Sequence, residues 1–373
     1  MRTEQAMEFS IQKADFLRGL RLAQGIADRK STMPILANVL LRTDGKQRLL
    51  VAATDLNVAV SAELPAKIEK EGALTVSAKM LHDIVADLPG EDVKVKRSEN
   101  LWAEIRCGSF ESKLVGMADR DFPKLPEPGK IKYAKLDAPT LREMIDKTLF
   151  SVSNDETRFQ LSGVLFECDG KTARMVSTDG HRLSKIERAV SEGPKLERGV
   201  IIPKKGLGEL KRAVDGLGGA CEIAVSGGAI YLKSGDVGLS VKLIEAEFPP
   251  YEQVIPAPNP VGALVPREAL MAALKRTSHM TSDKTSGVKL MLADGVLKII
   301  SDNPDLGEAR EELKVDYAGA PLTIGFNSNY FKELLSHMSG DRVRLELSGE
   351  LDPGVVRGEA SADYLGVIMP MRI

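Results

Sequence analysis

One segment of the chain recurs three times, and this repeat restricts the possible folds more than any other feature. Residues 39–55 read VLLRTDGKQRLLVAATD, residues 164–179 read VLFECDGKTARMVSTD, and residues 288–303 read VKLMLADGVLKIISDN. Each copy joins two apolar stretches through Asp-Gly, a dipeptide typical of tight β-hairpin turns. The Asp-Gly pairs lie 125 residues apart, and the Thr-Asp or Ser-Asp pairs that follow are spaced by 124 and 123. The sequence therefore predicts three units of one fold.

A helical apolar stripe precedes each hairpin, and a second stripe follows it. The first set is Phe16, Leu17 and Leu20, then Leu141, Met144 and Ile145, then Leu270, Ala273 and Leu274. The second set is Leu81, Ile84, Val85 and Leu88, then Leu207, Leu210 and Val214, then Phe331, Leu334, Leu335 and Met338. This spacing is typical of amphipathic helices that pack on sheets. We predict an α+β fold with two helices per domain packed on antiparallel sheets.

Proline- and glycine-rich segments separate the repeats. They are PKLPEPGK at 123–130 and PPYEQVIPAPNPVG at 249–262. Both should be extended, because proline fixes its own φ and restricts the residue before it. We therefore predict three domains, at residues 1–127, 128–256 and 257–373, and we interpret residues 1–6 as an extension of the first domain.

Composition excludes several classes of protein. Hydrophobic residues make up 43% and charged residues 28% of the chain, which is ordinary for a globular protein. The three cysteines, Cys107, Cys168 and Cys221, are far apart and form no CxxC pair, so we expect neither a disulfide framework nor a zinc site. No signal peptide or membrane span is recognisable. We expect a cytoplasmic protein.

Basic residues recur at equivalent helices although the formal net charge is only -2. The first helices carry Arg18 and Arg21, Arg142 and Lys147, and Lys275 and Arg276; Lys79, Lys204 and Lys205 begin the second helices, and Arg29 and Lys30 precede Pro34. Such side chains often only solvate a helix face. Their recurrence in three units favours a basic surface for the phosphates of duplex nucleic acid. Aromatic residues are too few to indicate stacking on single-stranded bases.

The second repeat contains a segment that invites a catalytic interpretation. Asp179 is followed by Gly180, His181 and Arg182, and a carboxylate near an imidazole can orient a general base. However, no nucleophile motif accompanies this pair, and Asp55 and Asp302 repeat the aspartate without a histidine. A turn or cap explains the aspartates. The sequence from Gly180 onward is specific to the second repeat and favours a binding site there.

Four segments identify a family resemblance. They are MPILANVLL at 33–41, STDGHRLSKIER at 177–188, EFPPYEQVIP at 247–256 and YLGVIMPMRI at 364–373. Through them the chain resembles the beta sliding clamp family of bacterial DNA polymerase III over residues 7–373. The resemblance implies a DNA clamp fold without a cofactor or catalytic activity. It also implies a head-to-tail homodimer, whose six domains form a ring with helices on its inner wall around double-stranded DNA.

The resemblance implies partners and a site for them. A clamp loader and replicative and repair DNA polymerases would insert short hydrophobic peptides into one pocket. The matching positions are Leu161, Thr178, Gly180, His181, Arg182, Leu183, Pro249, Val254, Val367, Met369, Pro370, Met371 and Arg372. A groove lined by methionine and proline is adaptable, which suits several partners. Leu161, Val254 and Val367 could instead be ordinary core residues.

Positions for DNA contact and for the dimer transfer less completely. The resemblance implies contacts to DNA from Lys30, Lys79, Lys204 and Lys205, beside Arg29. In the loop at 154–158, however, Asp155 and Glu156 stand where less acidic residues would favour DNA binding, so the role of this loop stays open. The implied dimer interface contains Leu114 of the first domain and His279 and Met280 of the third.

Two other functions fit part of the pattern. One is a three-repeat interaction scaffold whose basic helices do not bind DNA, and the other is a hydrolase that uses Asp179 and His181. A clamp should remain on closed circular duplex and leave linear duplex, whereas a scaffold would not distinguish them. A hydrolase would show turnover that is abolished by changing His181.

Overall fold

The computed structural model describes residues 7–126, 129, 131–155, 157–215, 219–259, 261–281, 286–359 and 361–372. The chain divides into two compact units: one consists of residues 1–139 and 205–243, and the other of residues 140–204 and 244–373. The middle repeat therefore contributes to both. Residues 1–6, predicted to be an extension, lie outside the described part.

In the first unit, 13 described strands form one antiparallel sheet. In order across the sheet they are β10 (Ala134–Asp137), β15 (Ala220–Ser226), β16 (Ala229–Ser234), β17 (Val237–Lys242), β4 (Val58–Pro65), β3 (Arg48–Thr54), β2 (Asn38–Asp44), β6 (Ala73–Ser77), β9 (Phe110–Met117), β8 (Trp102–Cys107), β7 (Asp92–Arg97), β1 (Glu8–Gln12) and β5 (Lys67–Lys70). Strand β17 of the second repeat pairs with β4 of the first, with Leu239 opposite Val60. The sheet is thus continuous between two repeats.

The helices of the first unit bury the predicted apolar stripes. They are α1 (Lys13–Ile26), α2 (Ala78–Ala86) and α4 (Lys204–Val214), of which all but Lys204 belongs to this unit. Phe16 of α1 is fully buried and meets Phe9 edge to face at 6.1 Å. A buried side chain of this size contributes about 1.5–3 kcal/mol. Hydrophobic burial against the sheet therefore stabilises these helices.

The second unit contains two antiparallel sheets. The described strands of the larger, in order, are β14 (Val200–Pro203), β11 (Gly163–Cys168), β12 (Thr172–Thr178), β13 (Arg182–Ala189), β25 (Ser361–Ile368), β24 (Gly354–Gly358), β23 (Arg342–Glu346) and β18 (Ala263–Pro266). The smaller is β21 (Gly307–Lys314), β20 (Val296–Asn303), β19 (Gly287–Ala293) and β22 (Leu322–Asn327). The helices are α3 (Ala138–Leu149), which begins in the first unit, α5 (Arg267–Thr277) and α6 (Ser328–Ser336).

All three predicted hairpins are present as β2–β3, β11–β12 and β19–β20. Gly45, Gly170 and Gly295 have φ of 60°, 97° and 72°, in the region that glycine adopts without steric penalty. The predicted α+β fold is confirmed, with six α-helices among the described residues, two for each repeat. Within those same residues, no helix is long and apolar enough to cross a membrane.

Candidate functional site

The turn between β12 and β13 is where the second repeat differs from the other two. Asp179 Oδ1 accepts hydrogen bonds from the backbone N–H groups of His181 at 2.9 Å and Arg182 at 3.1 Å. The Thr178 hydroxyl donates to the Arg182 carbonyl at 2.6 Å. Gly180 has φ of 90°, so a side chain at this position would be strained. The turn holds the imidazole of His181 at the surface.

Asp179 and His181 do not form the acid–base pair that a hydrolase would need. The Asp179 carboxylate is occupied by backbone N–H groups and by Arg182 Nε, which donates to its second oxygen at 3.1 Å. The His181 ring stacks instead on Tyr330, with centroids 6.3 Å apart. Among the residues that the structure describes, no cluster of His, Cys, Asp and Glu could hold a metal ion.

The C-terminal tail lies beside this turn. The Met369 N–H donates to the His181 carbonyl at 2.8 Å, and the Met371 N–H donates to the Gly325 carbonyl of β22 at 2.9 Å. Met369, Pro370 and Met371 are all half-buried. The tail therefore bridges the two sheets of the second unit and leaves part of each methionine side chain accessible. Arg372, which follows, is exposed.

The core of the second unit forms the floor of this region. Leu183 lies opposite Val367 in the β13–β25 pair, and both are buried, at 3% and 1% exposed, in one cluster with Tyr251. Leu161 is also buried, at 5%. The core interpretation is therefore correct for the burial of Leu161 and Val367. It is wrong for Val254, which is 41% exposed.

The proline-rich segment after β17 forms a third part of the site, and Tyr251 anchors it. The Tyr251 hydroxyl donates to Glu167 at 2.9 Å and accepts from Arg174 at 3.2 Å. Burial, followed by this bond to Glu167, raises the pKa of Tyr251, so the hydroxyl stays protonated. Pro249 and Val254 flank the anchor and are exposed. Because Tyr251 shares a core cluster with Leu183 and Val367, this segment lies near the turn and the strand that leads to the tail. We call the turn at 178–183, the tail at 369–372 and Pro249 to Val254 together the groove, after the peptide-binding role that the resemblance implies.

Arg182 was predicted to line the groove, yet most of its side chain is turned into the protein. It is 11% exposed. Its guanidinium donates to the Phe150 carbonyl at 2.8 Å, pairs with Glu333 of α6, and lies 4.8 Å from the Tyr330 ring centroid. Arg182 thus connects the turn to the end of α3 and to α6.

The sequence predicted the apolar stripe of α6 but not the role of its polar face, because that face contacts a turn in a different repeat. Tyr330, Glu333 and His337 are spaced by three and four residues and so share one helical face. Their face adjoins the apolar stripe that includes Phe331 and Leu334. This row of polar and aromatic residues beside the apolar stripe was the feature of the sequence that could have indicated a contact surface on α6.

Four of the predicted DNA-contact residues lie in the first unit, and three of these, Arg29, Lys30 and Lys79, lie in a loop or in the first turn of α2. Arg29 and Lys30 are exposed in the loop after α1. Lys79 is in the first turn of α2, as predicted, and forms an ion pair with Asp83. The N-terminal end of a helix carries a partial positive charge, which adds to the lysine charge.

The lysine pair at the start of α4 has partners of its own. Lys204 donates to the Asn154 side-chain oxygen at 2.8 Å. Lys205 forms an ion pair with Asp55, whose carboxylate side chain is 7% exposed. The charge of Lys205 is therefore partly compensated before any ligand binds.

The acidic loop at 154–158 is also partly compensated. Asp155 accepts hydrogen bonds from the Thr157 hydroxyl at 2.6 Å and N–H at 3.0 Å, and forms an ion pair with Arg158 at 3.5 Å. These bonds, the hydroxyl bond first, lower the pKa of Asp155. Glu156 lies outside the described residues.

The prediction of a basic surface residue is wrong for Lys147. Lys147 of α3 is 6% exposed, forms an ion pair with Glu143 at 2.8 Å and lies 4.9 Å from the Tyr364 ring centroid. A lysine this buried requires such partners. Only Arg142, of the two basic residues predicted on this helix, is exposed.

The predicted interface residues lie near free strand edges. Leu114 is half-buried on β9, which pairs with β8 from Phe110 to Val115 and with β6 only at Gly116 and Met117. The described part of the chain therefore offers no second partner for β9 from Phe110 to Val115. His279 is exposed and Met280 half-buried in a short turn after α5, and β21 has β20 as its only described strand partner.

Comparison with known proteins identifies the family of this chain. Three family profiles match in series: the DNA polymerase III beta subunit N-terminal domain at residues 7–126, central domain at 135–250 and C-terminal domain at 252–372.

Individual relatives agree with these profiles. The beta sliding clamp of Pseudomonas putida is 35% identical over 98% of this chain and 100% of its own length. The crystal structure of the DNA polymerase III beta subunit from Pseudomonas aeruginosa has a TM-score of 0.94 and 32% identity, covering 98% of this chain and 100% of that one. A sliding clamp from Bartonella birtlesii bound to griselimycin has a TM-score of 0.93 and 33% identity, covering 99% and 100%. The chain therefore belongs to the DNA polymerase III beta subunit family, the beta sliding clamps.

Proposed function

We propose that this protein is a processivity clamp that encircles duplex DNA and tethers DNA polymerases and repair proteins through the groove. As a member of the family it is a non-catalytic accessory subunit of DNA polymerase. The observation that carries the proposal is the match of all three repeats, in order, to the three clamp domains. We place its action in the cytoplasm, where chromosomal DNA is replicated, without a cofactor and away from membranes.

The groove is the proposed site for partner peptides. Its exposed rim contains Val254, Pro249 and the accessible parts of Met369 and Met371, above the buried floor of Leu183. Apolar rim residues over a packed floor suit short hydrophobic peptides, and methionine adapts to several of them. The proposed users are the clamp loader and replicative and repair polymerases. The relative from Bartonella birtlesii is bound to griselimycin, which agrees with ligand binding in the family.

The basic residues at 29–30, 79 and 204–205 are the proposed DNA contacts. Lysine and arginine would bind phosphates, which carry no base information, so binding should be independent of sequence and weaken steeply with salt. Reversal of charge at Lys204 and Lys205 should reduce loading on DNA. Reversal at Lys94 and Lys96, which are exposed on β7, provides the matched control.

The free edges of β9 and β21 support a proposed head-to-tail homodimer. Edge strands carry unpaired backbone N–H and C=O groups that a second strand can satisfy. Leu114 lies on β9, and His279 and Met280 lie in the turn that follows α5. Pairing of β9 of one copy with β21 of another would close a ring of two chains. Sedimentation that shows only monomer at micromolar concentration would contradict this arrangement.

Retention on circular DNA tests the proposal as a whole. The protein is loaded on nicked circular duplex by a clamp loader with ATP, separated from free protein, and the circle is then cut once. We expect retention on the circle and release after linearisation, because a ring is held by topology. Equal retention on both forms would favour the interaction scaffold.

A further inference from the structure

Helix α6 contacts the turn at 178–183 through one face. The Tyr330 ring stacks near His181, the Glu333 carboxylate pairs with Arg182, and the His337 ring stacks on Phe150 at 4.2 Å and 9°. The His337 Nδ1 also lies 2.8 Å from the Glu333 carbonyl, within the helix. Glu333 is the central residue of the three, and it supplies the charged contact from α6 to the turn.

The guanidinium of Arg182 depends on all its partners. The side chain is 11% exposed, so its donors cannot turn to bulk water. Two partners, the Asp179 carboxylate and the Phe150 carbonyl, belong to the turn and to the end of α3. A guanidinium with this little exposure loses much of its hydration, and removal of one acceptor leaves donors unsatisfied.

We propose that Glu333 is a positioning residue for the groove. Its carboxylate holds the Arg182 guanidinium, and through Arg182 it holds the turn at 178–183 in the shape that receives a peptide. The proposal rests on the proposed function of the groove. Glu333 acts from the helix, through Arg182, and makes no contact with the peptide itself.

The geometry explains why one carboxylate should affect binding at the groove. The His181 carbonyl accepts the Met369 N–H, so the turn also fixes the first residue of the tail. A shift of Arg182 would therefore be transmitted to both the turn and the tail. Ring stacking over Tyr330 remains without Glu333, but it restrains the guanidinium less in direction than a charge-assisted hydrogen bond does.

The first test is Glu333→Gln, which removes the charge and keeps the shape. The probe is a fluorescein-labelled peptide from the C-terminal tail of a DNA polymerase, titrated against the full-length protein. We expect about tenfold weaker binding, the scale of one charge-assisted hydrogen bond. The matched control is Glu268→Gln, since Glu268 is a 76% exposed carboxylate on α5 that pairs with Arg267. Its affinity for the peptide should be unchanged.

A double-mutant cycle decides how Glu333 acts. Arg182→Gln alone should weaken binding, and Arg182→Gln with Glu333→Gln should weaken it no further, because both changes break the same connection. Losses that add would overturn the proposal, since Glu333 would then act independently of Arg182. Unchanged affinity in Glu333→Gln would overturn it too.

The failure of the groove itself would look different. If the unsubstituted protein did not bind the peptide, or bound it equally well without Met369 to Ile373, the proposed function of the groove would be wrong whatever Glu333 does.

Discussion

The turn after the first hairpin and the turn after the second have the same backbone plan but different surfaces. In the first, Asp55 Oδ1 accepts from the N–H groups of Asn57 at 2.9 Å and Val58 at 2.7 Å. In the second, Asp179 Oδ1 accepts in the same way from His181 and Arg182. The other carboxylate oxygen of each aspartate forms an ion pair with a basic side chain, which is Lys205 in the first turn and Arg182 in the second.

The strands that follow are equivalent as well. The Lys242 N–H donates to the Asn57 carbonyl at 2.7 Å, as the Met369 N–H donates to the His181 carbonyl at 2.8 Å. The repeat thus supplies the same scaffold twice, once in each unit. The two copies differ at the end of the last strand: the second has Met369, Pro370 and Met371, where the first has Lys242 and Leu243. The groove therefore depends on the side chains that differ between the two copies. Substitutions at equivalent positions of the two copies should distinguish effects on the shared backbone from effects on peptide binding.

The largest expected effect is that of deleting Met369 to Ile373. The deletion removes two methionine side chains, each worth about 1.5–3 kcal/mol when buried, so peptide affinity should fall about a hundredfold or more. Titration of the labelled polymerase-tail peptide measures this. The control is Lys242→Ala in the equivalent strand end of the first unit, which should leave affinity unchanged. The dimer should persist in sedimentation, and its loss would show that the tail is structural.

Opposite effects on stability are expected from exchanging residues at the left-handed position of the two turns. Gly180→Ala places a side chain at φ of 90°, with its Cβ 2.9 Å from Arg158, and should destabilise the protein by about 1–2 kcal/mol. Leu56 occupies the same position at φ of 76°. Leu56→Gly relieves that strain and should be neutral or stabilising by about 0.5 kcal/mol, because the added flexibility of the unfolded chain offsets part of the gain.

Urea unfolding curves of both variants provide the measurement. Equal destabilisation in the two would mean that the turns are not equivalent in conformation.

The first helix of each of these repeats forms an ion pair with the rest of its unit, but the helix supplies the cation in the first repeat and the anion in the second. The second pair should make the stability of the protein depend on pH. Arg18 of α1 pairs with Asp236, whereas Glu143 of α3 pairs with Arg188. The Arg188 hydrogen bonds lower the pKa of Glu143 from 4.5 to about 2, with a further contribution from Lys147. Because the folded pKa is the lower one, this stabilisation is complete above pH 4.5 and is lost as the pH falls toward 2.

Glu143→Gln should therefore be less stable than the unsubstituted protein at pH 7, and the difference should shrink below pH 4.5. After allowance for solvent screening of this partly exposed carboxylate, we expect a difference of about 1 kcal/mol at neutral pH. Thermal unfolding of both proteins at several pH values tests it. A difference that stayed constant down to pH 2 would argue against the ion pair as its source.

The smallest expected effect concerns Lys205, whose side chain forms an ion pair with Asp55 of the first turn. Asp55→Asn keeps an acceptor for the N–H groups of Asn57 and Val58 and releases Lys205 from its ion pair. DNA binding should strengthen by a few fold at low salt, and the salt dependence should steepen by less than one phosphate contact. Titration of a short labelled linear duplex across a salt series, followed by fluorescence anisotropy, measures this. Weaker binding would indicate that Asp55 orients Lys205 toward the phosphates.

Much of the fold could be predicted because the repeat supplied the same evidence three times. Hairpins with Asp-Gly turns and six amphipathic helices follow from local periodicity, which does not depend on distant contacts. The prediction for Lys147 was wrong for the opposite reason. Its place on the helix is visible in the sequence, but its burial depends on Glu143, one turn before it, and on Tyr364, which is more than two hundred residues away.

The groove shows the same limit. The sequence indicated the turn at 178–183 and the tail because both depart from the repeat, and the family resemblance added Pro249 and Val254. It did not indicate that Tyr251 anchors the proline-rich segment or that Glu333 holds Arg182, because the first bond joins residues 84 positions apart and the second joins different repeats.

By itself the sequence determined the elements, their order and their threefold recurrence, since helix and strand periodicity and turn chemistry are properties of neighbouring residues. The tertiary structure alone decided which polar and charged side chains are buried and which charges are compensated. Burial and ion pairing depend on what long-range packing places within a few ångströms, as when β17 joins β4 or α4 brings Lys205 to Asp55.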